Sequence, residues 1–304
     1  MREKIELAVG RAQYHGLRRL LLAAVRARAG EVDVDGVRLP WIECGQGPPL
    51  LLVHGFGGDK ESWLPLVRFL PRHRRVIAVD LPGHGAASPI APAQASAAAQ
   101  ARVLAGLAAR LGIDRTDVVG SSMGGGISLR LAADHPALVR ALVLIGSAGP
   151  EVARSEVGAA LDRGDNPLVP RAGGDPGQFM KTVMEKPLRL PRALQRYAMA
   201  ERAARADSLA AIFGGWRNPA AGEEIPTGAR LAAVRAPALI LHGARDRVIH
   251  PATAEALATG LPHAQLVVLD GIGHVPQLEA PRRVARLIEE FLASVGGRDA
   301  AAHR

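Results

Sequence analysis

The chain has 304 residues, with 38 Lys and Arg against 29 Asp and Glu and a formal net charge of +9. That length can bury a full hydrophobic core and suits one α/β unit with an insertion as well as it suits two domains. Aromatic residues make up only 3% and four residues are lysines, so the positive excess is arginine scattered among Ala and Gly, with no stacking platform for bases, and no nucleic-acid partner is expected.

The first segment, residues 1–30, reads as an amphipathic helix. At about 100° per residue, Val9, Tyr14, Leu17, Leu20, Leu21 and Ala24 gather on one side, and Lys4, Arg11, His15, Arg18, Arg19 and Arg26 on another. Such a helix either rests on a lipid surface or packs on its own fold or on a second subunit. Its apolar run, Leu20 to Val25, is far short of the roughly 18–20 residues of a membrane span and lacks a signal-peptide cleavage site. The expectation is a cytoplasmic protein with at most peripheral membrane contact through residues 1–29. Cys44 follows, the single cysteine, which excludes an internal disulfide and reads as a small packed residue rather than a nucleophile.

From there, short apolar runs alternate with segments of helical period. The runs are Pro49 to Val53, Arg75 to Val79, Asp117 to Gly120, Ala141 to Ile145, Ala238 to Leu241 and Gln265 to Leu269. Each is continuous and rich in Val, Leu and Ile, as strands buried on both faces of a parallel sheet are. Helices are predicted over Pro92 to Leu111, Ser122 to Asp134, Pro251 to Gly260 and Pro281 to Ser294. The alternation predicts a mostly parallel, doubly wound α/β sheet built from residues 31–147 and 233–297. Between them, over 148–232, prolines (Pro167, Pro170, Pro176, Pro187, Pro191) and helical fragments replace the strands, which reads as a helical cap insertion. Phe179, Met180, Phe213 and Trp216 in that insertion would line a substrate pocket or form the insertion's own core. No feature bears on oligomeric state.

Four loops carry the chemistry. Gly120-Ser121-Ser122-Met123-Gly124 lies between a predicted strand and a predicted helix, a turn that exposes Ser122 as a nucleophile at a helix N-terminus; Ser121 lacks glycines at the same spacing. His54-Gly55-Phe56-Gly57-Gly58 follows an earlier strand, and an acyl-transfer site needs two backbone N–H donors for the oxyanion, for which the amides of Phe56 and Met123 are the candidates. Asp246 and His274 each sit in a loop after a late strand, so the chain order is Ser, acid, His, with His274 as general base and Asp246 orienting it. Activity is then expected to fall as His274 becomes protonated. Asp80 and His84 precede the nucleophile and read as supports of a Pro-Gly turn, while His54, His242 and His250 show no metal-ligand spacing, so no metal is expected.

With these residues placed, the chain from about Val37 to Val295 resembles the α/β-hydrolase superfamily. His54-Gly55-Phe56-Gly57-Gly58-Asp59-Lys60-Glu61-Ser62-Trp63, Val79-Asp80-Leu81-Pro82-Gly83-His84-Gly85, Gly120-Ser121-Ser122-Met123-Gly124-Gly125, Asn166-Pro167-Leu168-Val169-Pro170 and Phe291-Leu292-Ala293-Ser294-Val295 are similar to its monoacylglycerol lipase branch and related bacterial lipases and esterases. That resemblance implies hydrolysis of a single-chain lipid ester or other small-molecule ester through an acyl-enzyme, without a cofactor. Members of the branch often carry an N-terminal membrane-spanning helix, for which no apolar run here is long enough. The same triad also serves carbon–carbon bond hydrolases of ring-cleavage products, perhydrolases and non-catalytic receptors, and fold alone does not choose among them. Serine rather than Asp at position 122 excludes the haloalkane dehalogenase and epoxide hydrolase branches.

Overall fold

A computed structural model describes residues 2–169 and 174–302; Met1 and Pro170, named above in the expected helix and insertion, lie outside the described residues. In chain order the elements are α1 (Arg2–Ala24), β1 (Arg28–Val34), β2 (Val37–Cys44), β3 (Pro49–Val53), α2 (Leu64–Val67), β4 (Arg75–Val79), α3 (Ala97–Arg110), β5 (Thr116–Ser121), α4 (Met123–Asp134) and β6 (Val139–Ile145). Then come α5 (Glu156–Asp162), α6 (Pro176–Val183), α7 (Arg192–Ala203), α8 (Ala206–Arg217) and α9 (Gly228–Ala232), followed by β7 (Ala238–Gly243), α10 (Ala252–Gly260), β8 (Ala264–Leu269), α11 (Pro276–Glu279) and α12 (Pro281–Ala302).

The strands form one eight-stranded sheet in the order β1-β2-β4-β3-β5-β6-β7-β8. It is parallel from β4 to β8, and β2 runs antiparallel to both β1 and β4. Alternate residues of a strand face opposite sides, and both sides here are covered. Leu51 and Val53 of β3 join one core with Leu104 and Leu107 of α3, Ile127 and Leu131 of α4, and Leu257 of α10. Leu50 and Leu52 join the other with Leu64 and Leu66 of α2 and Val284, Ile288 and Phe291 of α12. Double burial is why the inner strands β3 to β7 read as apolar runs instead of alternating.

The β1–β2 hairpin, which the apolar runs did not announce, turns at Asp35-Gly36 and adds an antiparallel edge. Part of the arginine excess is consumed inside the fold. Asp117, 1% exposed, accepts from Arg74 at 3.1 Å and from Arg140 at 2.8 and 2.5 Å, and Arg74 also reaches Glu289 at 2.9 Å.

The N-terminal helix is shorter than expected. It ends at Ala24, Arg26 adopts a left-handed φ of 53°, and Arg28 already starts β1. Its apolar side chains do not share one face. Leu21 and Leu22, with the following Val25, pack on the core, and Tyr14 meets Tyr197 of α7 at 5.6 Å between ring centroids. Ile5, Val9, Leu17 and Leu20 point outward, Leu20 with 70% of its surface exposed. Among the described residues no helix is long and apolar enough to cross a membrane.

Candidate active site

Strand β5 is buried along its length and delivers the chain into a tight turn at Ser122, where φ is 56° and ψ is −122°. A serine held there carries about 1–3 kcal/mol of strain, which the surrounding packing must enforce. A Cβ at position 120 would overlap the Gly124 carbonyl and Ser128 Oγ, and one at 124 would overlap the carbonyls of Val53 and His54, so both flanking positions require glycine. Ser121 faces the interior and accepts a hydrogen bond from Gln277 Nε2 at 2.9 Å, which leaves Ser122 as the hydroxyl presented by the turn.

Asp246 and His274 converge on it from the loops after β7 and β8. His274 Nδ1–H donates to Asp246 Oδ2 at 2.8 Å, and its Nε2 lies 2.8 Å from Ser122 Oγ. With the proton on Nδ1, Nε2 holds a lone pair aimed at the hydroxyl. Asp246 is saturated: Oδ1 accepts from the amides of Val248 at 2.8 Å and Ile249 at 3.0 Å, and His242 Nε2 stands 3.2 Å from Oδ2. Burial pushes this carboxyl up, yet the charge and hydrogen bonds of His274 and His242 outweigh it and hold Asp246 well below the usual carboxylate range. It is therefore ionised at neutral pH.

Two supports of this arrangement escaped the motif reading. His242, weighed above only as a metal ligand, is four residues before Asp246 and braces it. Glu279 collects the amides of Gly273 at 2.9 Å, Glu185 at 3.0 Å and Lys186 at 2.8 Å, while the His274 amide donates to the Val183 carbonyl at 3.1 Å. The loop bearing His274 is thus pinned to the segment after α6. No local pattern foretells a contact between residues 93 and 94 positions apart.

The amides of Phe56 and Met123 have no hydrogen-bond partner among the described residues, and Met123 is the first residue of α4, where a free N–H and the helix dipole favour an anion. Above them lies a cavity of about 330 Å³ that includes Ser122, Phe56 and Met123 in its wall together with Val157, Leu168, Phe213, Trp216 and Ile249. Phe213 meets Phe56 edge-on at 5.4 Å. Phe179 and Met180 depart from the expected pocket: they line a second cavity of about 400 Å³, with Tyr14, Asp59, Tyr197 and Arg202, because α6 packs toward α7.

The other candidates resolve into scaffolding. His54 donates from Nδ1 to the Gly55 carbonyl at 2.8 Å and accepts the Leu81 amide on Nε2 at 3.0 Å, with burial pushing its pKa down. Burial and the neighbouring His54 push His84 down to about 3, so it stays neutral. Asp80, 0% exposed, pairs with Lys60 Nζ at 2.7 Å and accepts the amides of Lys60 and Ala86, each at 2.8 Å. His250 accepts the Ala252 amide at 3.2 Å beside the cavity, and Cys44 is half-buried in β2, its thiol pushed up by burial. Among the described residues no group of three or more His, Cys, Asp or Glu is placed to hold a metal.

A serine in a strained strand-to-helix turn, followed along the chain by a buried carboxylate and then an imidazole, is the order of the α/β-hydrolase fold, and the family model of that fold matches residues 48–281. The chain belongs to the α/β-hydrolase family. This α/β hydrolase is similar to a monoacylglycerol lipase of Xenopus laevis, 28% identical over 84% of this chain and 78% of that protein. It is also similar to 2-hydroxymuconate semialdehyde hydrolase of Pseudomonas sp. (strain CF600), 34% identical over 90% of this chain and 95% of that protein. Among solved structures it resembles a membrane phospholipase A described as a bacterial virulence factor, with a TM-score of 0.89 and 34% identity, covering 94% of this chain and 92% of that one.

Proposed function

We propose that this α/β hydrolase is a serine carboxylester hydrolase acting on single-chain lipid esters such as monoacylglycerols, with Ser122 as nucleophile, His274 as general base and Asp246 as its orienting acid. The observation that carries the reading is the continuous relay, 2.8 Å from Asp246 to His274 and 2.8 Å from His274 to Ser122, opening beneath a cavity whose wall is partly apolar. His274 Nε2 takes the Ser122 proton as Oγ bonds to the ester carbonyl carbon. The carbonyl oxygen becomes an anion received by the Phe56 and Met123 amides. The imidazolium then gives its proton to the departing alkoxide, which leaves as the alcohol with an acyl group on Ser122. Water, deprotonated by the same Nε2, attacks that acyl group, and Ser122 leaves with the proton as the carboxylic acid departs. Every step uses groups of this chain and water, without a cofactor.

Three features favour a lipid ester. The cavity wall carries Leu168, Phe213, Trp216 and Ile249, suited to an acyl chain. The structural likeness to a membrane phospholipase A spans nearly the whole chain. On α1, exposed Ile5, Val9, Leu17 and Leu20 form an apolar stripe beside Lys4, Arg11, His15 and Arg19, suited to resting on an anionic lipid surface. In this reading residues 148–232 act as a cap that sets chain length.

A second reading has an observation of its own: the 34% identity to a 2-hydroxymuconate semialdehyde hydrolase favours cleavage of a carbon–carbon bond with the same serine and histidine. Purified protein assayed on p-nitrophenyl esters, monoacylglycerols and a ring-cleavage dienone separates the two. The ester reading expects kcat/KM on monoacylglycerol to exceed that on the dienone by about a hundredfold or more, a gap of some 3 kcal/mol in transition-state binding. The reverse order overturns it.

A further inference from the structure

Arg202, in the last turn of α7, leaves the insertion and reaches the back of the loop that carries the Phe56 amide. Its guanidinium donates to the carbonyl of Gly57 and, at 2.9 Å, to that of Leu168. Both contacts bear on the cavity above Ser122: Gly57 directly follows Phe56, which lines that cavity, and Leu168 lines it as well. The same guanidinium stacks 4.7 Å from the Phe179 ring centroid and 5.9 Å from that of Phe56.

The loop is shaped to receive it. Gly58 N–H closes a turn on the Gly55 carbonyl at 3.0 Å, with Gly57 at a φ of 66°. A Cβ on Gly57 would overlap Cζ and both terminal nitrogens of Arg202, so the arginine lies flat against backbone in space that only glycine leaves. Among the described residues no carboxylate pairs with it and its Nε has no partner, and burial holds its pKa down to about 10, still charged at neutral pH. A charge placed this way adds little stability. What the contact supplies is geometry. Without it, a loop containing Gly55, Gly57 and Gly58 has wide backbone freedom, and an oxyanion donor acts only when it stands about 2.7–3.1 Å from the oxygen.

We propose that Arg202 is a positioning residue for the oxyanion loop: by gripping the Gly57 carbonyl it aims the Phe56 N–H at the developing anion, and by gripping Leu168 it ties that aim to the seating of the insertion. The assignment rests on the acyl-enzyme reading above. It makes the insertion part of the catalytic geometry as well as part of the pocket.

The test compares wild type, Arg202→Met and Arg202→Lys on soluble p-nitrophenyl butyrate, on an alkyl boronic acid that adds to the serine, and on a non-hydrolysed amide analogue of the ester. The boronate adduct places a negative oxygen where the oxyanion forms; the amide reports ground-state binding only. Arg202→Met is expected to lower kcat by about 10- to 100-fold, weaken the boronate by a similar factor and leave KM and amide affinity within about threefold. Arg202→Lys, able to reach one carbonyl but not both, is expected to recover part of the loss. A purely structural arginine would lower thermal stability while leaving kcat and boronate affinity as in wild type, and that result overturns the proposal. Should Arg202→Met not fold, Arg202→Lys decides: boronate affinity below wild type supports the assignment and equal affinity overturns it. Wild-type protein that forms no boronate adduct overturns the Ser122 reading, and this one with it.

Discussion

Replacing Asp59 by Asn should stabilise the protein above neutral pH and lose that advantage in acid. Burial, then the charges of Glu61 and Asp80, push the Asp59 carboxyl from 3.8 up to about 6, against the pull of the Ser62 amide and Lys60. In the unfolded chain the group titrates near its ordinary value. Between about pH 4 and pH 6 the folded state therefore binds more protons than the unfolded state, and stability falls as pH rises through that window. The gap from 3.8 to about 6 converts to about 3 kcal/mol, which solvent at this half-buried residue reduces to about 1–2 kcal/mol. Asn keeps an oxygen for the Ser62 amide, which now donates to Asp59 Oδ1 at 2.9 Å, and carries no charge to desolvate. Urea denaturation of both proteins at pH 4, 5, 6 and 7.5 measures the difference. The gain should grow across the series and level off near pH 7. A gain independent of pH, or a loss at pH 7.5, would refute the reasoning.

Lys60→Met leaves Asp80, which is fully buried, without its counter-charge, and should cost about 3–5 kcal/mol in a denaturant midpoint experiment; a cost under about 1 kcal/mol would show that the pair is not what holds the turn. Trp216→Ala enlarges the cavity wall next to Ile225 and should shift the ratio of kcat/KM between p-nitrophenyl octanoate and butyrate by about five- to tenfold, an unchanged ratio marking Trp216 as packing only. Changing Ile5, Val9 and Leu20 together to Gln should weaken sedimentation with anionic vesicles by about tenfold or more while turnover of soluble ester persists. Equal vesicle binding would remove the lipid surface from the account.

The central strands were legible because burial on both faces writes a plain signal, an unbroken run such as Pro49–Val53. The hairpin was not, because β1 alternates and is mostly exposed, although Asp35-Gly36 is the dipeptide that two-residue hairpin turns favour. Ser122, Asp246 and His274 were legible for a related reason: each follows the carboxyl end of a strand, where this topology builds sites, so chain order stood in for distance. What places them was hidden. His242 bracing Asp246 is a local contact four residues apart that its loop position did not single out, while Glu279 gathering amides from the insertion and Arg202 seated on Gly57 are tertiary contacts with no spacing to reveal them. The N-terminal helix shows the limit of periodicity: a wheel places Tyr14 and Leu21 with Val9 and Leu20, and only packing against α7 and the core separates the buried from the exposed.

Acid-quenched mixtures of the protein with p-nitrophenyl butyrate, analysed by intact mass and then by peptide, test whether Ser122 carries the acyl group. Wild type should show one butyryl group on the peptide containing Ser122, and Ser122→Ala should show none, with kcat lower by about 10⁴- to 10⁶-fold. An acyl group on another residue, or turnover that survives in Ser122→Ala, would contradict the account.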